Sequence, residues 1–236
     1  AGLGISQKVV EDVKPYPFLM EPKETFKREF LMRGVLGLGP TGTIIRHDAF
    51  KILGGFTGTR YIGDTELWYK IALAYPVVKM EDNLIFWRQH DDQEIIKGQE
   101  SFFYLENTFK LKFNTLNKKE LPLGAPERQV ALKKLTHRFS KNITRLILKG
   151  HIVTLFQSKC ENGPRALGNR SILYDPRTMD GKDYVNSVKH REYFRPFAGS
   201  ILADHADDWF DMRGMKESPH MMYAMNCKEG VEEQIP

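Results

Sequence analysis

Glu161-Asn162-Gly163-Pro164-Arg165-Ala166-Leu167-Gly168-Asn169-Arg170-Ser171-Ile172-Leu173 is the stretch on which the reading of this chain turns. A second stretch follows it: Lys189-His190-Arg191-Glu192-Tyr193-Phe194-Arg195-Pro196-Phe197-Ala198. Together they set Arg165, Arg170, Lys189, Arg191 and Arg195 at the turns and ends of expected elements. Glycines let backbone N–H groups approach a ligand closely. Guanidinium forks grip phosphate bidentately, and lysine adds a point charge. Cations interleaved with Gly, Ser and Pro point to a polyphosphate or a mixed phosphate–carbonyl ligand. The competing reading pairs them with Glu161, Asp175, Asp180, Asp183 and Glu192 in structural bridges. Five gathered cations repel one another unless an anion or carboxylates intervene. The ligand reading therefore expects most of their head groups within roughly 10 Å, about one Debye length, of a common point.

The same residues resemble the start of the C-terminal domain of the O-carbamoyltransferases, a group that includes nodulation and antibiotic-tailoring enzymes. Glu161, Gly163 to Leu173, Asp175-Pro176-Arg177, Lys189, Arg191-Glu192, Phe194 to Ala198, Ser218-Pro219 and Met221 all fit that family's pattern. The resemblance runs from about residue 140 to 236. It implies a YrdC-like α/β fold, of which residues 140–236 are expected to hold only a part. It also implies that carbamoyl phosphate and ATP, with Mg2+, give a carbamoyl adenylate and pyrophosphate. A separate actin-like domain of the family, with its own metal, then moves the carbamoyl group to a hydroxyl of a sugar or natural product. By this resemblance Lys189 and Arg195 are the catalytic cations. Arg165, Asn169, Arg170, Ser171 and Arg191 bind nucleotide and substrate, with Ser171 orienting the carbamoyl group. No metal ligand is assigned. Ser158-Lys159-Cys160 stands where the family has Gly-Arg-Met, Asn162 replaces Phe, and Gly199 replaces a proline. Lys159 keeps the charge but loses the fork.

Upstream, Gly54-Gly55-Phe56 is followed by Asp64-Thr65-Glu66-Leu67-Trp68 and then Arg88-Gln89-His90. Asp64 is expected at a helix cap, where unpaired N–H groups favour a carboxylate. Leu67, Trp68, Ile71 and Tyr75 follow at helical spacing. Thr43-Ile44-Ile45, Val77-Val78 and Leu84-Ile85-Phe86-Trp87 read as strands, and His47 to Lys51 as a helical turn closed by Gly54-Gly55. Residues 30–95 resemble the C-terminal half of a family-2 glycosyltransferase. That implies part of a GT-A fold and inverting transfer from a nucleotide sugar, with a divalent metal. Asp64 falls on the family's catalytic base. Gly63 stands where that family has Glu. No Asp-x-Asp motif precedes residue 30, so the chain alone is expected to lack glycosyl transfer.

Between these zones, residues 101–153 hold eleven Lys and Arg against three Glu, or 11 − 3 = +8. The whole chain is +5, so the remainder is 5 − 8 = −3. Basicity confined to one segment argues against a nucleic-acid binder. Leu132, Leu135, Phe139, Ile143 and Leu146 form an apolar helical stripe, with Lys133, Lys134, Arg138, Lys141 and Arg145 on other faces. Such a helix either packs on a neighbour or lies on an anionic membrane surface. Cys160 and Cys227 form no CxxC pair, and no apolar run nears the roughly 20 residues of a membrane span. A cytoplasmic transferase is the expectation. Its organisation is a glycosyltransferase-like segment at 1–115, a basic helical linker at 116–139 and a carbamoyltransferase-like segment at 140–236. A non-catalytic junction of the two folds is the alternative.

Overall fold

The computed structural model describes residues 15–81, 102–157, 166 and 168–235. The chain divides into two compact units, Ala1–Ser140 and Lys141–Pro236. Helices are mixed with small antiparallel sheets, an α/β composition. Leu84 to Trp87, Arg88 to His90, Cys160 and Arg165 lie outside the described residues.

In the first unit, β1 (Phe18–Met20) pairs antiparallel with β2 (Val77–Lys79), Met20 opposite Val77. Pro22 opens α1 (Pro22–Leu31), a position where a missing N–H leaves no bond unmade. Phe26 of α1 meets Leu67, Trp68, Tyr69 and Ala72 of α3 (Gly63–Ala74) in one core with Leu116, Leu121, Leu123 and Ala131. Trp68 Nε1 donates to the Leu38 carbonyl at 2.7 Å. Tyr75 lies just past the helix end rather than within it, so the expected stripe stops at Ile71.

Thr43 to Ile45 is not the expected strand. It is an irregular link between a 3₁₀ turn at Pro40–Gly42 and α2 (His47–Ile52). Ile44 is 99% exposed and Ile45 packs against the core, but no strand among the described residues pairs with this run. The helical turn at His47 to Lys51 does form, and Gly55 N–H closes it on the Phe50 carbonyl at 3.0 Å.

Two longer helices follow, α4 (Phe102–Leu116) and α5 (Ala125–Leu148), the last eight residues of α5 belonging to the second unit. Arg128 of α5 gathers carbonyls from the end of α4 and the turn after it. It donates to Leu123 at 2.9 Å, Lys118 at 2.6 Å, Leu116 and Lys119 at 3.4 Å each, and Leu121. Carbonyls at a helix C-terminus have no intrahelical donor and carry partial negative charge, so a guanidinium suits them. Arg128→Ala is expected to cost about 2 kcal/mol, as hydrogen bonds from a charged group do. Chemical denaturation measures it. Arg128→Lys should recover less than half, because the fork is gone.

The expected stripe on α5 is half-buried throughout, and Lys133, Lys134, Arg138, Lys141 and Arg145 are exposed. Phe139 lies on Phe109 with ring centroids 4.3 Å apart. The helix ends as its sequence suggests. Gly150 takes φ +79°, and His151 N–H reaches the Leu146 carbonyl at 3.1 Å. Among the described residues no helix is long and apolar enough to cross a membrane.

In the second unit, β3 (Val153–Thr154) pairs antiparallel with β4 (Ile172–Leu173). Two more bonds carry the pairing onward, Leu155 N to Ser171 O at 2.7 Å and Gln157 N to Asn169 O at 2.9 Å. α6 (Gly181–Val188) buries Val185 and Asn186. α7 (Ala206–Trp209) leads to a bridge between Phe210 and the free, exposed Cys227.

Candidate functional site

The sequence-predicted residues of the second unit fall into two local groups. The first lies where the β3–β4 pairing opens into a loop. Asn169 N–H closes a turn on the Ala166 carbonyl at 2.9 Å, and Gly168 sits at φ +90°, which favours glycine. Gly168 N–H donates to Ser171 Oγ at 3.0 Å, and Gln157 Nε2 donates to the Gly168 carbonyl at 3.0 Å. Arg170 Nη1 donates to the carbonyls of Asn169, at 2.9 Å, and of Gln157. Its guanidinium lies 3.5 Å from the ring centre of Phe156, a ring that is 81% exposed. Asn169, Arg170 and Ser171 are thus held together at an accessible rim.

The second group is the corner after α6. Lys189 is the C-cap residue, where a cation suits the helix dipole. It is exposed, and its ammonium has no side-chain partner among the described residues. His190 takes φ +51° and turns the chain back, so that Arg191 N–H meets the Asn186 carbonyl at 3.1 Å. Arg191 Nε donates to Asn186 Oδ1, and Nη2 donates to the Pro196 carbonyl at 3.3 Å. The Phe197 ring covers the guanidinium at 4.1 Å. All of these partners are neutral, so they orient Arg191 without cancelling its charge. Arg195 differs: its Nε pairs with Glu192 Oε2 at 2.7 Å, both side chains about half exposed. The Glu192 carboxyl is held below its ordinary value by its own backbone N–H, by Arg195 and, less strongly, by the charge of Arg191.

Lys189, Arg191 and Arg195 therefore share one corner, and Asn169, Arg170 and Ser171 share one loop. Arg165 is outside the described residues. Asp64 belongs to the first unit and is not the helix cap; Ile62 occupies that position. Asp64 sits inside the first turn, where Oδ1 accepts from Thr65 N at 2.6 Å and Thr65 Oγ1 at 3.3 Å. The bridge reading holds for Arg195 with Glu192. Asp175 instead takes Arg177, Nε to Oδ1 at 2.9 Å and Nη2 to Oδ2 at 2.7 Å.

Asp175 yields a direct prediction. The Arg177 side chain, helped by the Arg177 N–H, lowers the Asp175 carboxyl to about 2. Its folded value is depressed, so its contribution to stability is present above about pH 4, the unfolded range. That contribution disappears as pH falls toward 2. A carbon-13 NMR titration of Asp175 should find its midpoint near 2. Arg177→Ala should return it toward about 4.

Sequence reasoning missed Asn186, Phe156 and Phe197 as supports of the cations. Phe197 stood in the quoted Pro-Phe pair, but nothing in the sequence said that a ring would cover Arg191. Asn186 carried no signal beyond its place in a helix.

Residues 144–236 match the family described as Carbamoyltransferase C-terminus. The chain is 35% identical over 119 residues to the uncharacterized protein MJ1058 of Methanocaldococcus jannaschii, which is 50% of this chain and 19% of that protein. It is 44% identical over 82 residues to nodulation protein NolO of Bradyrhizobium diazoefficiens, 34% of this chain and 15% of that protein. It is 37% identical over 91 residues to nodulation protein U of Azorhizobium caulinodans, 39% of this chain and 16% of that protein. The chain thus spans less than a fifth of the length of each of these relatives. No solved structure matches.

Proposed function

We propose that the second unit binds ATP and carbamoyl phosphate as part of a carbamoyltransferase, with Arg170, Lys189, Arg191 and Arg195 on the phosphates. The observation that carries this reading is the neutral bracing of Arg191 within a segment matching Carbamoyltransferase C-terminus. A guanidinium fixed by an amide, a carbonyl and a ring is preorganised by neutral groups, as stabilising phosphate requires. Lys189 adds an exposed charge. Arg195 leaves only a weak, solvent-screened surface pair, so phosphate can displace Glu192. Ser171 Oγ already accepts from Gly168, so its hydroxyl proton is available to donate to a carbamoyl oxygen. Arg165 and Asn169 complete the set by the family resemblance.

These residues fit a nucleotide. Among the described residues no three His, Cys, Asp or Glu side chains gather into a metal site. By the family resemblance magnesium comes with the ATP phosphates, a common arrangement for this ion. One water is needed for balance: carbamoyl phosphate, ATP and water give carbamoyl adenylate, pyrophosphate and orthophosphate. The carbamoyl acceptor is then a sugar or natural-product hydroxyl handled by another domain. A cytoplasmic setting fits the supply of ATP and the free Cys227. The test is isotope exchange. Labelled pyrophosphate should enter ATP only when carbamoyl phosphate is present; exchange without it would sink this reading.

A second reading concerns the first unit, where Asp64 sits in the first turn of α3 beyond the Gly54-Gly55-Phe56 turn. It serves as the base of an inverting glycosyltransferase when donor-binding segments and a divalent metal are supplied. In a protein with that activity, Asp64→Asn should lower kcat at least a hundredfold, roughly what general base catalysis supplies, and leave KM little changed. An equal rise in KM would make Asp64 structural. The exposed cations of α5 leave contact with an anionic membrane surface open as a further partner.

A further inference from the structure

Asn186 is 1% exposed and lies on the last turn of α6, the one fully buried polar side chain at the cationic corner among the described residues. Its amide uses both ends. Nδ2 donates to the carbonyls of Tyr193 at 3.2 Å and Arg195 at 3.1 Å, while Oδ1 accepts from Arg191 Nε. Its backbone carbonyl also receives Arg191 N–H at 3.1 Å. One side chain therefore ties the segment 191–195 to the helix at three points.

We infer that Asn186 is a positioning residue that holds Arg191 toward a phosphate ligand and keeps its charge available. This rests on the phosphate reading above. The chemistry favours an amide over any other side chain at this position. A carboxylate would accept from Arg191 equally well, but it would neutralise the guanidinium and have no proton for the carbonyls of Tyr193 and Arg195. A short hydroxyl would not span three partners. An apolar residue would supply no donor to the carbonyls of Tyr193 and Arg195 and no acceptor to Arg191. The amide alone supplies two donors and one acceptor with no net charge. The Phe197 ring and the Pro196 carbonyl hold the other side of the guanidinium. Arg191 is thereby fixed in direction by neutral groups; Glu192 makes its bridge to Arg195 and acts on Arg191 only through space.

The experiment is a double-mutant cycle on the whole chain, with ATP as the titrant and circular dichroism confirming that each variant is folded. Asn186→Ala should weaken ATP binding about tenfold, and Arg191→Ala about a hundredfold, the range of charge-assisted hydrogen bonds. The double variant should be no weaker than Arg191→Ala alone, because Asn186 acts through Arg191. Additive losses, or unchanged affinity in Asn186→Ala, overturn the inference. If Asn186→Ala does not fold, Asn186→Ser serves in the same cycle. A second readout needs no ligand: the Arg191 Nε–H resonance should be protected from solvent exchange in the parent and lose that protection in Asn186→Ala or Asn186→Ser. A parent chain that binds no ATP would overturn the phosphate reading; the Nε–H signal then decides the positioning role by itself, lost protection upholding it and unchanged exchange overturning it.

Discussion

Glu29→Ala is expected to lower the unfolding midpoint of the first unit by about 10 °C or more, corresponding to about 3–5 kcal/mol. Glu29 is a charged residue only 9% exposed, and it is the polar centre of that unit. Oε2 accepts from Val35 N at 2.9 Å and Leu36 N at 3.0 Å. Oε1 accepts from Tyr69 Oη at 2.8 Å and Lys112 Nζ at 3.4 Å. Truncation leaves two amides, a phenol and an ammonium without their acceptor, and the ammonium side chain is only 23% exposed. Losing one partner of a buried charge is among the costliest single changes, because the remaining groups keep their desolvation penalty. Glu29→Gln should cost less, since one oxygen survives, yet its amide N–H groups would face donors on one side.

The same cluster sets an alkaline limit. Burial, reinforced by Glu29, pushes the Tyr69 phenol well above its ordinary value. A raised folded value means that its contribution to stability is present below about pH 10 and disappears as pH climbs beyond it. Absorbance at the tyrosinate wavelength, followed with unfolding, should show Tyr69 ionising only as the unit opens. Tyr69→Phe should flatten that alkaline loss.

Arg191→Ala is expected to weaken ATP binding about a hundredfold, with Arg191→Lys recovering only part of it. Lysine keeps the charge but cannot at once reach Asn186, the Pro196 carbonyl and a phosphate, and it lies less well against the Phe197 ring. Titration calorimetry of the two variants measures the difference. Equal loss in both would show that the fork carries the binding. Equal retention would assign Arg191 to the corner's structure.

Much of this was legible in the sequence because local chemistry repeats itself in structure. The stripe from Leu132 to Leu146 and the Lys149-Gly150 stop fix α5 by helical period and a left-handed cap. Val77-Val78 formed a strand because Leu19 and Met20 lie opposite. Thr43 to Ile45 has equal strand propensity but no partner strand among the described residues, and pairing is a tertiary fact that no short window contains. The cations themselves were readable from their Gly and Pro punctuation. Their partners were not: Arg195 takes Glu192 three residues before it, while Arg191 takes the Asn186 amide through the reversal at His190, which brings residues five apart together.

The most direct test of the central account is titration of the unmodified chain with ATP at low and at high salt. The account predicts saturable binding that weakens as salt rises, since half-buried and exposed cations carry it, and that is displaced by pyrophosphate and carbamoyl phosphate. Absence of binding at low salt, or binding that survives Arg170→Ala and Arg191→Ala together, would contradict it.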